Sequence, residues 1–115
     1  MTVEFKPRKI KFKAWNTESR LLMRLNSIEC NKGELFKKDH VLLQFTGLCD
    51  REGEEVYDMD ILLIYTDKYL VSWNEDKGGW FYSPLENRSN LLPFLEGDAG
   101  KMKRFCSYFE LSAGF

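Results

Sequence analysis

A chain of 115 residues suits one domain and, at that length, buries enough surface for a core without disulfides or metals. Aromatic residues at 15% and charged residues at 30% exclude disorder, and a formal net charge of −1 excludes a global field that draws the molecule to nucleic acid or membrane. The opening stretch lacks the apolar run of a signal peptide, the longest apolar run is only Ile61–Tyr65, and Cys30, Cys49 and Cys106 are scattered with no C-x-x-C pair. These features predict a cytoplasmic protein with no membrane span and with buried thiols.

The charge is unevenly placed. Met1–Lys13 carries Lys6, Arg8, Lys9, Lys11 and Lys13 against Glu4 alone, a net of +4 that leaves −5 for the remainder. Within it, Lys9–Trp15 alternates strictly: Ile10, Phe12 and Ala14 point one way and Lys9, Lys11 and Lys13 the other. That period of two predicts a half-buried strand with a wet lysine face. Lysines so placed block edge pairing, and the same row is the candidate basic face for a nucleic-acid contact.

Asn16–Ser19 supplies turn chemistry. Arg20–Leu25 fits two templates, a short helix capped by Thr17 with Leu21, Leu22 and Leu25 on one face, or a strand alternating through Leu21, Met23 and Leu25. Asn31-Lys32-Gly33 reads as a tight hairpin turn between 27–30 and 34–36. Val41–Phe45 is a compact apolar strand, and Thr46–Gly53 a turn-rich connector in which Gly47 and Gly53 can take positive φ. Asp60–Tyr65 is the most hydrophobic strand. After a turn at Thr66–Lys68, Tyr69–Trp73 carries Tyr69, Val71 and Trp73 on one face, and the Asn74–Gly79 loop returns the chain through Trp80–Ser83. Three consecutive strands on short turns make a meander, the usual start of a small barrel.

Leu85–Leu95, interrupted by Pro93, is a loop or one short helix, and Gly97–Gly100 is a turn. Lys101–Leu111 fits a helix through Met102, Phe105, Cys106 and Phe109, or a strand through Phe105, Ser107, Phe109 and Leu111; its aromatic content leans toward a closing strand. The fold class is mainly β, α+β at most, in a single domain spanning 1–115.

Catalytic machinery is sparse. His40 is the only histidine, so a triad or a Cys–His pair would have to gather around it, and no cysteine sits at a strand-to-helix elbow or in a basic setting. Three isolated cysteines and one histidine do not preorganise zinc, and Gly78-Gly79 lacks the Lys-Ser/Thr of a phosphate loop. No cofactor or metal is expected. Asp50, Asp58 and Asp60 sit around a turn; they could flank a substrate or a hard cation, but such acids more often accept backbone N–H bonds. Trp73 is assigned to the core, while Trp80 and Tyr82, with Lys77 nearby, form a candidate aromatic binding surface on the barrel rim.

The stretch Leu42–Ile61, with Gln44-Phe45-Thr46-Gly47-Leu48, then Asp50-x-x-Gly53, then Val56-Tyr57-Asp58-Met59-Asp60-Ile61, resembles the central signature of the YopX family. The start Ile10–Trp15 is similar to the family's opening, in which a basic strand ends in Ala-Trp. The match is specific through Ile64 and loose over Leu85–Phe115. Where the family usually has glycine between the acid and Asp60, this chain has Met59; if that position demands positive φ, methionine costs on the order of 1 kcal/mol there. The resemblance implies an N-terminal β-containing part, 8–48, and a C-terminal SH3-like barrel, 56–115, and it makes Arg20–Leu25 a strand. It also implies origin in phages and mobile elements, and it carries over no catalytic residue. Thr46, Gly47, Asp50, Gly53, Tyr57 and Asp60 are then turn and strand-entry residues.

The expected function is that of a non-enzymatic binding or accessory protein acting through protein or nucleic-acid contacts, its partner a host or phage protein. The alternatives are an enzyme or host-factor antagonist using the Asp50–Asp60 carboxylates, and a structural subunit of a homo-oligomer.

Overall fold

A computed structural model describes residues 2–114; Met1, the first residue of the basic segment, and Phe115 lie outside the described residues. The chain is mainly β, 47% strand and 8% helix, its curled sheets forming a half-barrel. No helix among the described residues is long and apolar enough to cross a membrane.

Residues 2–11 have no regular secondary structure and lead into β1 (Phe12–Asn16). The Asn16 side-chain oxygen accepts the N–H groups of Glu18 and Ser19 at 2.9 and 3.0 Å, which turns the chain into β2 (Leu22–Arg24). The ambiguous segment is thus a strand. Beyond it, β3 (Glu29–Asn31) and β4 (Glu34–Phe36) form a two-stranded sheet of their own, joined at Lys32 and Gly33 with φ of 51° and 81°. Two consecutive positive φ angles are what a type I′ hairpin needs.

Strand β5 (His40–Cys49) is longer than the sequence pattern indicated. It absorbs half of the expected connector by bulging: its register against β6 (Glu55–Tyr57) shifts between Phe45 and Cys49, and Gly47 sits in the shift at φ 89°. Thr46 holds the bulge, its hydroxyl donating to the Val56 carbonyl at 2.8 Å and accepting the Leu48 N–H at 3.2 Å. The first sheet has the order β2-β1-β5-β6.

At Asp58-Met59 the chain leaves that sheet for the second. The Asp58 N–H bonds back to the Gln44 carbonyl on β5, while the Met59 N–H already bonds to the Val71 carbonyl of the next sheet, each at 2.8 Å. Met59 makes this corner with φ 66°, so the position does demand a left-handed backbone.

The meander follows as expected: β7 (Asp60–Ile64), β8 (Asp67–Asn74) and β9 (Gly79–Pro84) pair in sequence. A short β10 (Leu92–Pro93) adds to β9, and β11 (Lys103–Ser107) closes against β7, giving the order β10-β9-β8-β7-β11. The region expected as a turn at 97–100 is mostly a single helical turn, α1 (Glu96–Ala99). Residues 101–111 follow neither sequence template throughout: Phe105 and Ser107 lie in strand β11 as the strand template has them, but the chain then switches, and Phe109 and Leu111 fall in α2 (Tyr108–Ser112). The switch is a capping box: Ser107 accepts the Phe109 N–H and Glu110 accepts the Ser107 N–H. Val56, Leu62, Val71, Phe94, Ala99 and Met102 form the core, flanked by Leu48, Ile64, Trp80 and Tyr82.

Three expectations are corrected. Trp73 is not core: it is 46% exposed, because β8 runs past the edge of the core toward the loop and only its partner Trp80 reaches the interior. Cys30 and Cys49 are exposed rather than buried, and Cys106 is half-buried. The two rows of 9–14 are not cleanly wet and dry: Lys9 is exposed and Ala14 fully buried, as expected, but Lys11 and Lys13 are half-buried. Lys13 is paired with Leu43, and Lys11 and Lys13 lie over the Phe45 and Tyr57 rings, whereas Ile10, before β1, is 61% exposed. The ammonium groups lie over the ring faces, at 5.7 Å for Lys11 and 4.5 Å for Lys13, where the ring quadrupole attracts them.

The radius of gyration is 15.1 Å, with extents of 48 × 41 × 29 Å. A globular chain of this length is expected near ~13 Å. The β3–β4 hairpin, every residue of which is exposed, and the N-terminal segment account for the excess.

Candidate functional site

The signature carboxylates are the most enclosed charges in the molecule. Asp60 opens β7 at 1% exposure, and its carboxylate accepts the Tyr57 N–H at 2.8 Å and Arg104 Nε and Nη2 at 2.9 and 3.2 Å. Burial pushes this carboxyl up, against the opposing pull of the guanidinium. Asp50, at 5% exposure, accepts three backbone N–H groups, those of Glu52 and Glu54 at 2.9 Å and of Arg104 at 2.7 Å. Burial raises it, but the N–H groups of Arg104, Glu54 and Glu52 together with the Lys103 ammonium outweigh that, and it lies below the ordinary value. Lys103 in turn contacts Glu52 and Glu54, each at 2.9 Å, and those carboxylates hold its ammonium well above the ordinary lysine range.

These bonds explain the signature in structural terms. Asp50 closes the 50–54 turn, with Gly53 at φ 84°, and ties it to β11; Asp60 ties the sheet corner to the same strand. Arg104, which answers both, carries no signal in the sequence. Asp58 stands apart: it accepts the Trp73 N–H at 3.3 Å, and burial pushes its carboxyl up.

The candidate aromatic surface is divided by β9. Trp80 and Tyr82 share the face that flanks the core, Trp80 edge-on to Trp73 at 5.3 Å and Tyr82 edge-on to Phe94 at 6.1 Å. Lys77 lies over Phe81, 5.8 Å from its ring centre, on the opposite face of the strand. The three are not brought together.

The basic face meets a cleft. About 770 Å³ in volume, it is walled by the end of the N-terminal segment and β1 (Ile10, Lys11, Phe12, Lys13), by Arg24 and the 25–28 connection, and by Glu54, Glu55 and Tyr57. Neither Asp50, Asp58 nor Asp60 lines it. Lys11 is committed to Glu55 at 2.6 Å, a carboxylate that also accepts the Tyr57 hydroxyl at 3.3 Å. Glu54 is committed to Lys103 and Arg104. Lys13 and Arg24 are direct cross-strand partners, so their side chains leave the sheet on the same face. Among the described residues neither has a carboxylate within ion-pairing distance. Burial, and then repulsion from Arg104, holds the Lys13 ammonium below its ordinary value. Lys9, the third residue of the row, lies before β1 and is exposed. Sequence reasoning missed Arg24, since a lone arginine in an ambiguous segment has no visible partner until the strands pair.

The sequence profile of the YopX protein family matches residues 6–100. No curated protein matches the chain in sequence. Protein EF1440 from Enterococcus faecalis, solved by crystallography, has a similar fold, with a TM-score of 0.66 at 19% identity over 92% of this chain and 97% of that one.

Proposed function

Because the chain belongs to the YopX family, we propose that it is a non-enzymatic binding protein of phage or mobile-element origin that engages a host or phage macromolecule in the cytoplasm. We read its half-barrel as SH3-like, with 8–48 and 56–115 as sub-parts of one domain. The observation that carries the proposal is the division of charge. The signature carboxylates Asp50 and Asp60 are saturated with hydrogen bonds inside the fold, while the 770 Å³ cleft keeps two cations, Lys13 and Arg24, with no carboxylate partner among the described residues, beside aromatic and aliphatic walls. Saturated acids favour scaffolding over proton transfer. A cleft of this volume falls within the ~300–1,000 Å³ range of ligand sites.

Affinity capture from host lysate tests this, using the wild-type chain, Arg24→Glu in the cleft and Lys77→Glu away from it. A partner retained by Lys77→Glu and lost by Arg24→Glu is expected. Capture unchanged by Arg24→Glu removes the cleft from the proposal.

The β3–β4 hairpin supports a second reading, that of an oligomer subunit. It is a free-standing two-stranded sheet with both outer edges unpaired among the described residues, and with Leu35 and Phe36 exposed. Such hairpins are marginal alone in water. Light scattering that finds only monomer at high concentration ends this reading.

A further inference from the structure

The pairing of Lys13 with Arg24 is unfavourable as it stands. Like charges directly opposite on neighbouring strands destabilise a sheet, and here the half-buried Lys13 holds its ammonium over the Tyr57 ring at 4.5 Å, partly out of water. The other acids of the cleft are already spent, Glu55 on Lys11 and Glu54 on Lys103 and Arg104. Neither Lys13 nor Arg24 is ion-paired among the described residues. Two long side chains rising from Cβ atoms ~5 Å apart can converge on a single oxyanion.

We infer that Lys13 and Arg24 clamp a phosphodiester of a single-stranded nucleic acid laid in the cleft between β1, the 25–28 connection and β6. This rests on the binding reading above and supplies its ligand class. Three observations favour a strand over an acidic peptide. The cations continue beyond the clamp through Lys9 and Arg8 in the N-terminal segment, a track rather than a point. Phe12, half-buried in the wall of the cleft, gives π surface beside the cations against which a base can stack. Ser27 and Asn26 add neutral polar groups in the connection, suited to sugar or base edges.

The test is fluorescence anisotropy with a labelled oligothymidylate, titrated with wild type, Lys13→Met, Arg24→Gln and the double variant at several salt concentrations. Lys13→Met keeps an aliphatic stem on Tyr57, so folding is retained, and circular dichroism checks it. Each single variant is expected to weaken binding by at least about tenfold, the scale of one charge-assisted contact. The double variant is expected to lower the salt slope by about 0.7, the value for the one phosphate that the pair clamps. Failure of the oligothymidylate to bind, or binding unchanged in the double variant, overturns the assignment. So does competition by polyglutamate as effective as by unlabelled strand, which would make the site a generic acid receptor. A protein partner captured through Arg24 with no response to oligothymidylate also overturns it, while leaving the binding reading standing.

Discussion

Replacing Met59 inverts the usual ranking of alanine and glycine. Met59 sits at φ 66°, where its Cβ crowds the following carbonyl at a cost of roughly 1–2 kcal/mol. The fold holds it there because three bonds converge on the corner: the Asp58 N–H to Gln44, the Met59 N–H to Val71, and the Tyr108 N–H to the Met59 carbonyl at 2.7 Å. At an ordinary position, glycine is less stable than alanine by about 0.5–1 kcal/mol through its freer unfolded state. Here Met59→Ala keeps the strain and loses the half-buried side chain, while Met59→Gly loses both. Subtracting one variant from the other cancels the side chain and leaves relieved strain minus glycine's entropy. That difference makes Met59→Gly the more stable by ~0.5–1 kcal/mol, or about 2–4 °C in Tm for a domain of this size. Paired urea titrations with equal slopes measure it. Should Met59→Gly fall below Met59→Ala by the ordinary margin, the corner is not left-handed and the reasoning fails.

Arg104→Met strips Asp60 of its only cation at hydrogen-bonding distance among the described residues, in a pair with side-chain exposures of 10% and 2%. We expect a loss of about 3–5 kcal/mol in urea unfolding, largely recovered in Arg104→Met/Asp60→Asn, where no bare charge remains; a double variant no better than the single refutes an electrostatic origin. Asp50 titrates below its ordinary value of 3.8 in the fold, so its contribution is complete above that pH and fades as pH falls through the folded value. The urea midpoint should therefore drop in acid for wild type, and drop less for Asp50→Asn; parallel curves between about pH 6 and about pH 2 would contradict this.

What the sequence disclosed depended on whether its signal was local. The meander of β7, β8 and β9 and the hairpin at Lys32-Gly33 were legible because alternation and turn residues lie within a few positions of each other. Met59 was legible because a glycine-favouring position stands out in a signature. The lysine face misled: a period of two says that Lys11 and Lys13 share a side, not how wet that side is, and an ammonium group can rest over a ring as well as in solvent. Trp73 misled because alternation assigns a face but not the point at which the core beneath it ends. The strand-to-helix switch at Ser107 had a visible mark in Ser107-x-x-Glu110, which the competing periodicities of 101–111 concealed. Arg104 had none. Its partners lie 54 and 44 residues away, and only tertiary structure joins them.

Those separations set an order of events during synthesis. A ribosome that has released the first hundred residues presents Asp50 and Asp60 already flanked by their turns, but Arg104, whose backbone N–H meets Asp50 and whose guanidinium pairs with Asp60, is still in the exit tunnel. Emerging polypeptide can therefore make the meander early, yet the joint between the two sheets stays unlatched until the final strand arrives. Strand β11 thus acts as a keystone, and the two sheets lock together only once it has left the ribosome.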